Sequence, residues 1–380
     1  MENLTPMLRQ YHEIKKKYRD CILFFRLGDF YEMFYEDAKK ASGILDLVLT
    51  SRDAGKSGKI PMCGIPFHAA DSYISRLIKH GYKVAICEQT EDPSKSKGIV
   101  KREVIRVITS GTYLDDTAET RCILSIVCDN NKMGIAIIDN AKGNIKANEY
   151  QGIENFSNIL TRMPVYEIIH PEKNEKEISE MLNKTTGKLK TFTLTGLEDW
   201  KFHYDTAMRN LCQHFKIHSL AGTGIGDKIL AVRAAGALLQ YVTEMSKSSL
   251  QHIDKIFLYD DSEYVYVSPS TIRGLEIESL VKTIDRTQTS GGKRLLREWL
   301  MHPLKDVEKI NERLSAVTIL KNNPSLQEKL INIFKQIYDI EKSLSRLSSG
   351  YSNPKDLLAI KNTLGMVPEL KKILEPVVSL

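Results

Sequence analysis

The sequence offers no pattern for holding a metal. Its six cysteines, Cys21, Cys63, Cys87, Cys122, Cys128 and Cys212, form no C-x-x-C pair, and its nine histidines form no H-E-x-x-H motif. Irregular cysteine spacing in apolar or mixed stretches suits reduced, buried thiols rather than a disulfide framework. No apolar run approaches the roughly 18 residues needed to span a bilayer. Met1 to Gln10 lacks the basic-then-apolar order of a secretory leader, so the expected compartment is the cytosol. A G-x-x-x-x-G-K-[ST] phosphate loop is missing, and with it any expectation that this chain hydrolyses ATP. The nearest dinucleotide-type loop, Gly222-Thr223-Gly224-Ile225-Gly226-Asp227, has Asp227 where a last glycine is needed, and no clear strand leads into it. Internal repeats and low-complexity stretches are lacking too.

What is present is ordinary globular composition, 42% hydrophobic and 27% charged over 380 residues, enough for two to four domains. A formal net charge of +6 points only weakly to nucleic acid. Its distribution says more. Lys95, Lys97, Lys101, Arg102 and Arg106 crowd one segment against a single acid, Glu103, and Lys282, Arg286, Lys293, Arg294 and Arg297 form a second cluster. A solvated face is the plain alternative reading of either cluster.

Periodicity divides the chain into three blocks. From the start to about Thr112, strand-like runs (Ile22 to Leu27, Val84 to Cys87, Val104 to Ile108) mix with two helical patterns. One carries Phe34, Ala38, Ala41 and Leu45. The other carries Ala70, Tyr73, Ile74, Leu77 and Ile78, with Gly81 as its stop. This is an α+β domain with a mixed sheet. From about Arg121 to Asp254, strands Ile123 to Val127, Met133 to Ile138 and Asn144 to Tyr150 precede alternating helix and strand signals. A long Ala-rich helix over Lys228 to Glu244 follows, and the order indicates an α/β domain. The third block, from near Ile256, is almost wholly helical after Leu275. Val307, Ile310, Leu314, Val317 and Leu320 form one apolar stripe, and His302-Pro303 breaks the preceding helix. The apolar end Pro376 to Leu380 has no stop signal, which suggests a chain cut from a longer parent.

The segment Phe24-Phe25-Arg26-Leu27-Gly28-Asp29-Phe30-Tyr31-Glu32-Met33-Phe34-Tyr35 carries the functional reading. By local chemistry Asp29 and Glu32 fit a capping box at a strand-to-helix turn, and Phe30 fits core packing. The same segment closely resembles the mismatch-recognition domain of MutS-type proteins, with its Phe-x-Glu signature after a Gly-Asp turn, here Phe30-Tyr31-Glu32. The resemblance continues through ordered motifs: Leu4-Thr5-Pro6-Met7-Leu8-Arg9-Gln10-Tyr11, Pro61-Met62-Cys63-Gly64-Ile65-Pro66-Phe67-His68-Ala69, Val84-Ala85-Ile86-Cys87-Glu88-Gln89, the stretch Lys97 to Val104, and Thr109-Ser110-Gly111-Thr112. Later, Thr271 to Ile277, Leu280 to Leu300 and Asp339 to Leu347 resemble the start of the family's lever domain.

The resemblance implies a mismatch-recognition domain over 1–112, a linker over 113–121, an RNase H-like connector over 122–255, and the all-α beginning of a lever domain over 256–380. It implies that Phe30 acts as an aromatic wedge in the minor groove. A mispaired base has lost pairing and some stacking, so it is cheaper to unstack than a matched one. Glu32 would hydrogen-bond the displaced base; because phosphates repel a carboxylate, that bond forms only where a base offers a partner. Arg52, His68, Lys95, Lys97, Arg102 and Arg106 are candidate backbone contacts by charge and position, and such contacts carry no sequence preference. The implied partners are duplex DNA with mismatches or small loops and a MutL-type protein at the connector, with homodimerisation of the full-length parent. The resemblance also implies that ATP and magnesium belong to a C-terminal domain outside this sequence. Two rival readings are a metal-dependent nuclease in the connector, using Asp129, Asp139 and Glu149, and a pure protein-interaction scaffold.

Overall fold

The fold is that of a computed structural model, which describes residues 4–55, 58–91, 99–113, 121–139, 142–186, 192–248, 250–348 and 353–378. The chain forms two compact units, Met1–Tyr113 with Tyr241–Ser249, and Leu114–Gln240 with Leu250–Leu380.

In the first unit, helix α1 (Pro6–Lys17) opens on a proline, whose missing N–H is no loss in a first turn, and closes on Lys15, Lys16 and Lys17 at the negative end of the helix dipole. Strands β1 (Cys21–Leu27) and β2 (Phe30–Phe34) follow, then α2 (Tyr35–Leu45), β3 (Thr50–Asp53), β4 (Lys59–Pro66), α3 (Ala70–Lys79), β5 (Lys83–Gln89) and β6 (Arg102–Ile108). The strands make one sheet in the order β3-β4-β2-β1-β5-β6, parallel only between β1 and β5. Both faces are covered, so alternate residues serve two cores. Ile22, Phe24, Tyr31, Met33, Cys63 and Ile65 pack with Ala38, Ala41, Ile74 and Leu77 of α2 and α3. Leu23, Phe25, Phe34, Ile60 and Cys87 pack with Leu8 and Tyr11 of α1.

The capping-box expectation fails here. Residues 30–34 are not the first turn of a helix but a strand paired on both sides, and the helix begins at Tyr35. The reason is the period-two split of this segment, which sends Tyr31 and Met33 to one core and Phe34 to the other. The strand-to-helix turn is therefore a strand-to-strand turn, Gly28-Asp29, closing the register pair Leu27 with Phe30. Gly28 takes φ 57°, the positive value that the first position of a tight hairpin turn favours.

The second unit has its own sheet, built from β7 (Cys122–Asp129), β8 (Lys132–Asp139), β9 (Asn144–Gln151), β10 (Val165–Pro171), β11 (Thr193–Leu197) and β12 (Lys255–Leu258), in the order β11-β10-β7-β8-β9-β12. β7, β8 and β9 form an antiparallel meander; β10 runs parallel to β7, β11 to β10 and β12 to β9. Helices α4 (Ile153–Arg162), α5 (Glu175–Thr186) and α6 (Tyr204–Phe215) accompany it, with residues 229–240 of α7 (Ile229–Ser246). Gly222 to Asp227 is a loop ahead of α7 rather than a strand–helix phosphate turn. β12 pairs with β9 through Leu258.

The helical run consists of α8 (Pro269–Gly274), α9 (Ile277–Ile284), α10 (Ser290–Met301), α11 (Val307–Lys321), α12 (Pro324–Phe334), α13 (Ile340–Ser348) and α14 (Pro354–Val378). Four of these starts are capped by side chains: Ser268 accepts from Thr271 N, Thr289 from Gly292 N, Asp306 from Glu308 N and Lys309 N, and Asn323 from Leu326 N. The apolar stripe of α11 is not packed away: Val307, Leu314 and Val317 are exposed and the helix has no buried residue. Among the described residues no helix is long and apolar enough to cross a membrane.

Candidate nucleic-acid interface

Strand alternation decides which residues share the working face of the first unit. Register pairs Glu32 with Gly64 and Phe30 with Pro66 on β4, and Arg52 on β3 with Ile60. Phe30, Glu32, Pro66, Gly64 and Arg52 therefore lie on one face; Phe30 and Pro66 are at the end that carries the Gly28-Asp29 turn, and the Arg52 backbone lies farther along, opposite Ile60. Phe30 is 48% exposed, whereas its neighbour Tyr31 is only 7% exposed and belongs to the core. The strand thus presents one aromatic outward and anchors itself with the next. The Tyr31 hydroxyl donates to Glu88, and burial with that carboxylate pushes its pKa upward.

Glu32 is held. Arg52 Nη1 donates to Glu32 Oε2, and the carboxylate side chain is only 16% exposed. This contact crosses the intervening strand β4, on which Gly64 is the register partner of Glu32; a Cβ added at Gly64 would lie 3.5 Å from Glu32 Cγ and 3.4 Å from the Tyr31 carbonyl oxygen. A larger residue at 64 would compete with Glu32 for this space.

A second exposed aromatic adjoins the turn. Phe67 N donates to the Asp29 carbonyl at 3.0 Å, and the Arg26 guanidinium lies 3.6 Å from the centre of the half-exposed Phe67 ring. Arg26 is fixed in turn by the Gly28 carbonyl at 2.5 Å and by Glu88 at 3.3 Å. His68 follows, exposed, with its ring edge-on to Phe67. The sequence reading passed over Phe67 and Arg26. The run Pro66-Phe67-His68 after a strand was the available signal, because a bulky aromatic just past a strand end has no sheet face to hide in.

The other expected backbone contacts divide. Arg102 and Arg106 are buried, at 7% and 6% exposure. Arg102 Nε donates to the Arg26 carbonyl at 2.7 Å, its Nη1 donates to Gln10 Oε1 and the Val100 carbonyl, and its guanidinium lies 5.1 Å from the Phe25 ring centre. Arg106 Nη2 donates to the Thr112 carbonyl. Side chains so enclosed tie β6 to its surroundings and are not presented to a phosphate. Lys95 and Lys97 lie outside the described residues. The face thus brings together Phe30, Glu32 and Arg52, with Phe67 and His68 at its margin.

The carboxylates proposed for a nuclease do not converge. Asp129 and Asp139 sit at opposite ends of the β7–β8 ladder, seven residues of strand apart, or roughly 24 Å at the usual rise. Glu149 accepts from Leu230 N at 3.1 Å. Among the described residues no group of three or more His, Cys, Asp or Glu could hold a metal. All six cysteines are free, and burial pushes the Cys63 thiol up to about 11 and those of Cys21, Cys87 and Cys128 up to about 12.

Comparison with known proteins matches the chain to three successive domain models. Residues 5–117 match the model of MutS domain I, 121–254 that of MutS domain II and 270–379 that of MutS domain III. Curated relatives include the DNA mismatch repair protein MutS of Alkaliphilus oremlandii, 38% identical over 99% of this chain and 44% of that protein. The protein of the same name from Alkaliphilus metalliredigens is 39% identical over 99% of this chain and 45% of its own length. That of Clostridium perfringens is 40% identical over 98% and 42%. The chain therefore spans less than half the length of these relatives, and with three successive MutS domains covering nearly all of it, it belongs to the MutS family.

Proposed function

We propose that this chain recognises mispaired or unpaired bases in duplex DNA. Phe30 enters the minor groove as a wedge, and Glu32 contacts the base it displaces. The observation that carries the reading is the placement of a half-exposed phenylalanine and a restrained carboxylate two residues apart on one face of a strand paired on both sides. Rigidity matters, because a wedge on a mobile loop would yield before the base stack did. Stacking on an aromatic is worth ~1–3 kcal/mol per base, and unstacking costs least where pairing is already lost. The Arg52 guanidinium offsets the repulsion between Glu32 and nearby phosphates, and His68 and Lys97 are backbone-contact candidates alongside it.

The test is fluorescence anisotropy on matched, G·T-mismatched and one-base-loop duplexes at two salt concentrations. We expect weak, salt-suppressed binding that favours the two defective duplexes. Equal affinity for all three would overturn the reading. We further read the strand order of the second unit, with its antiparallel meander flanked by parallel β10 and β11, as an RNase H-like connector. A MutL-type partner at this connector, homodimerisation, a cytosolic location, and ATP and magnesium chemistry are proposals for the whole protein.

A further inference from the structure

Phe30 stands at the weak end of its strand. It is the first residue of β2, next to the turn Gly28-Asp29, and all three residues are exposed. Ladder ends and exposed turns open more readily than the middle of a sheet. A side chain that pushes into a base stack from such a place needs its turn held from outside.

Arg26 holds it. This residue of β1 is the register partner of Tyr31, and its side chain is only 17% exposed. Its Nε donates to the Gly28 carbonyl at 2.5 Å, and its Nη1 donates to Glu88 Oε1 on β5 at 3.3 Å. The Tyr31 hydroxyl donates to the same carboxylate oxygen. The guanidinium also lies 3.6 Å from the centre of the Phe67 ring, and Phe67 N donates to the Asp29 carbonyl at 3.0 Å. Both carbonyls of the turn are therefore tied, one by Arg26 itself and the other by the residue whose ring Arg26 covers. The Arg26 carbonyl in turn accepts from Arg102 Nε at 2.7 Å, which fixes the strand beneath. A planar guanidinium can donate along its edge and stack through its face at the same time; an ammonium cannot.

We propose that Arg26 is a positioning residue for mismatch recognition: it clamps the Gly28-Asp29 turn between Glu88 and Phe67, and so sets the direction in which Phe30 meets the base stack. The inference rests on the reading of Phe30 as the wedge and adds what holds the wedge under load. Arg26 acts through Phe30, not as a contact to the DNA backbone.

The experiment compares Arg26→Lys, Arg26→Met and Phe30→Ala with the unaltered 380-residue chain, by fluorescence anisotropy on matched and G·T-mismatched duplexes. Hydrogen exchange at the Phe67 amide and the thermal midpoint are read on the free protein. Both Arg26 variants should cut the mismatched-to-matched affinity ratio by about threefold or more. Arg26→Lys keeps the charge, so its affinity for matched duplex should stay within about twofold of the unaltered chain. In both variants the Phe67 amide should exchange about tenfold faster or more, as expected when a hydrogen bond from a charged donor is lost. Placed in the Phe30→Ala background, Arg26→Lys should have no further effect on the ratio. Arg76→Lys controls for simple loosening. Arg76 donates to the Ile44 and Leu45 carbonyls at 2.7 and 3.0 Å, at the end of α2, so this variant should lower the midpoint and leave the ratio alone. Loss of preference in Phe30→Ala with an unchanged ratio in Arg26→Lys would overturn the proposal and leave the wedge standing. Equal losses on both duplexes, the mark of a phosphate contact, would also overturn it, as would unchanged exchange at Phe67 or the same fall in ratio in Arg76→Lys. A preference that survives Phe30→Ala would remove the wedge itself, and the proposal with it.

Discussion

Arg52 on β3 reaches across the intervening β4 to donate to the carboxylate of Glu32 on β2, so the carboxylate that would touch a base is already held before any DNA arrives. On the proposed reading this pairing would make Arg52 a positioning residue rather than an independent phosphate contact, and a double-mutant cycle separates the two roles. Arg52→Ala and Glu32→Ala should each shrink the ratio of mismatched to matched affinity. The double variant should lose much less than the sum, with a coupling of ~0.5–3 kcal/mol. Additive losses would return Arg52 to the role of simple backbone contact. Gly64→Ala should leave the ratio nearly intact, because its Cβ only touches Glu32, whereas Gly64→Val should reproduce the loss seen for Arg52→Ala.

Arg102 should behave as a structural residue. Its guanidinium donates to two carbonyls and a side-chain amide while packed near Phe25, and hydrogen bonds from charged donors contribute ~1.5–3 kcal/mol each on the mutational scale. We expect Arg102→Ala to lower the stability of the first unit by about 2–3 kcal/mol, measured by urea denaturation followed by circular dichroism. The fraction that stays folded should bind DNA almost normally. Unchanged stability with a large fall in affinity would mean that Arg102 leaves its pocket to meet a phosphate.

His302 should make the second unit sensitive to acid. Its pKa is pushed from the ordinary 6.5 down to about 4, first by burial and then by the Arg162 guanidinium, while the carbonyl and carboxylate of Glu298 oppose this and Lys146 adds to it. Above pH ~6.5 the ring is neutral in both folded and unfolded chains and costs nothing. As pH falls below that value the unfolded chain takes up a proton that the folded unit refuses, and stability drops by ~1.4 kcal/mol per pH unit until about pH 4, an upper bound of about 3.5 kcal/mol. Urea midpoints read from tryptophan fluorescence at descending pH should show this slope, and His302→Gln should flatten it. An unaltered acid limb in that variant would place the sensitivity elsewhere.

How much of this was legible in the sequence depended on the range of the interaction. Strands such as Ile22 to Leu27 and Met133 to Ile138 were readable because alternation and apolar runs are local signals. The Asp29–Glu32 spacing misled, since a capping box and a strand of alternating burial satisfy the same four positions, and only pairing with β1 and β4 decides between them. Charge clustering marked Arg102 and Arg106 but could not tell an enclosed guanidinium from an exposed one, a difference made by Gln10, Phe25 and Thr112 from distant segments. The Arg52–Glu32 pair joins residues twenty positions apart through a third strand, which no local pattern reveals.

Phe30 and Tyr31 supply the sharpest contrast, because adjacent aromatics on one strand face opposite ways. Tyr31 is 7% exposed and packs against Phe24, so Tyr31→Ala should cost ~3–5 kcal/mol as a core truncation. Phe30 is 48% exposed, and its removal should cost ~1 kcal/mol or less, since a side chain outside the core leaves no cavity. On DNA the order reverses. Phe30→Ala should bring the affinities for G·T-mismatched and matched duplex to within a factor of about two, the loss of one stacking contact of ~1–3 kcal/mol being enough to erase a preference of that size. Phe30→Leu should keep part of the preference, because a bulky apolar side chain can still wedge between bases but cannot stack on one. The paired readings are the thermal midpoint by circular dichroism and the mismatched-to-matched affinity ratio by anisotropy. A large fall in midpoint for Phe30→Ala with the ratio retained would make Phe30 a packing residue and move the wedge to another exposed aromatic, for which Phe67, joined to the same turn through the Asp29 carbonyl, is the next to replace.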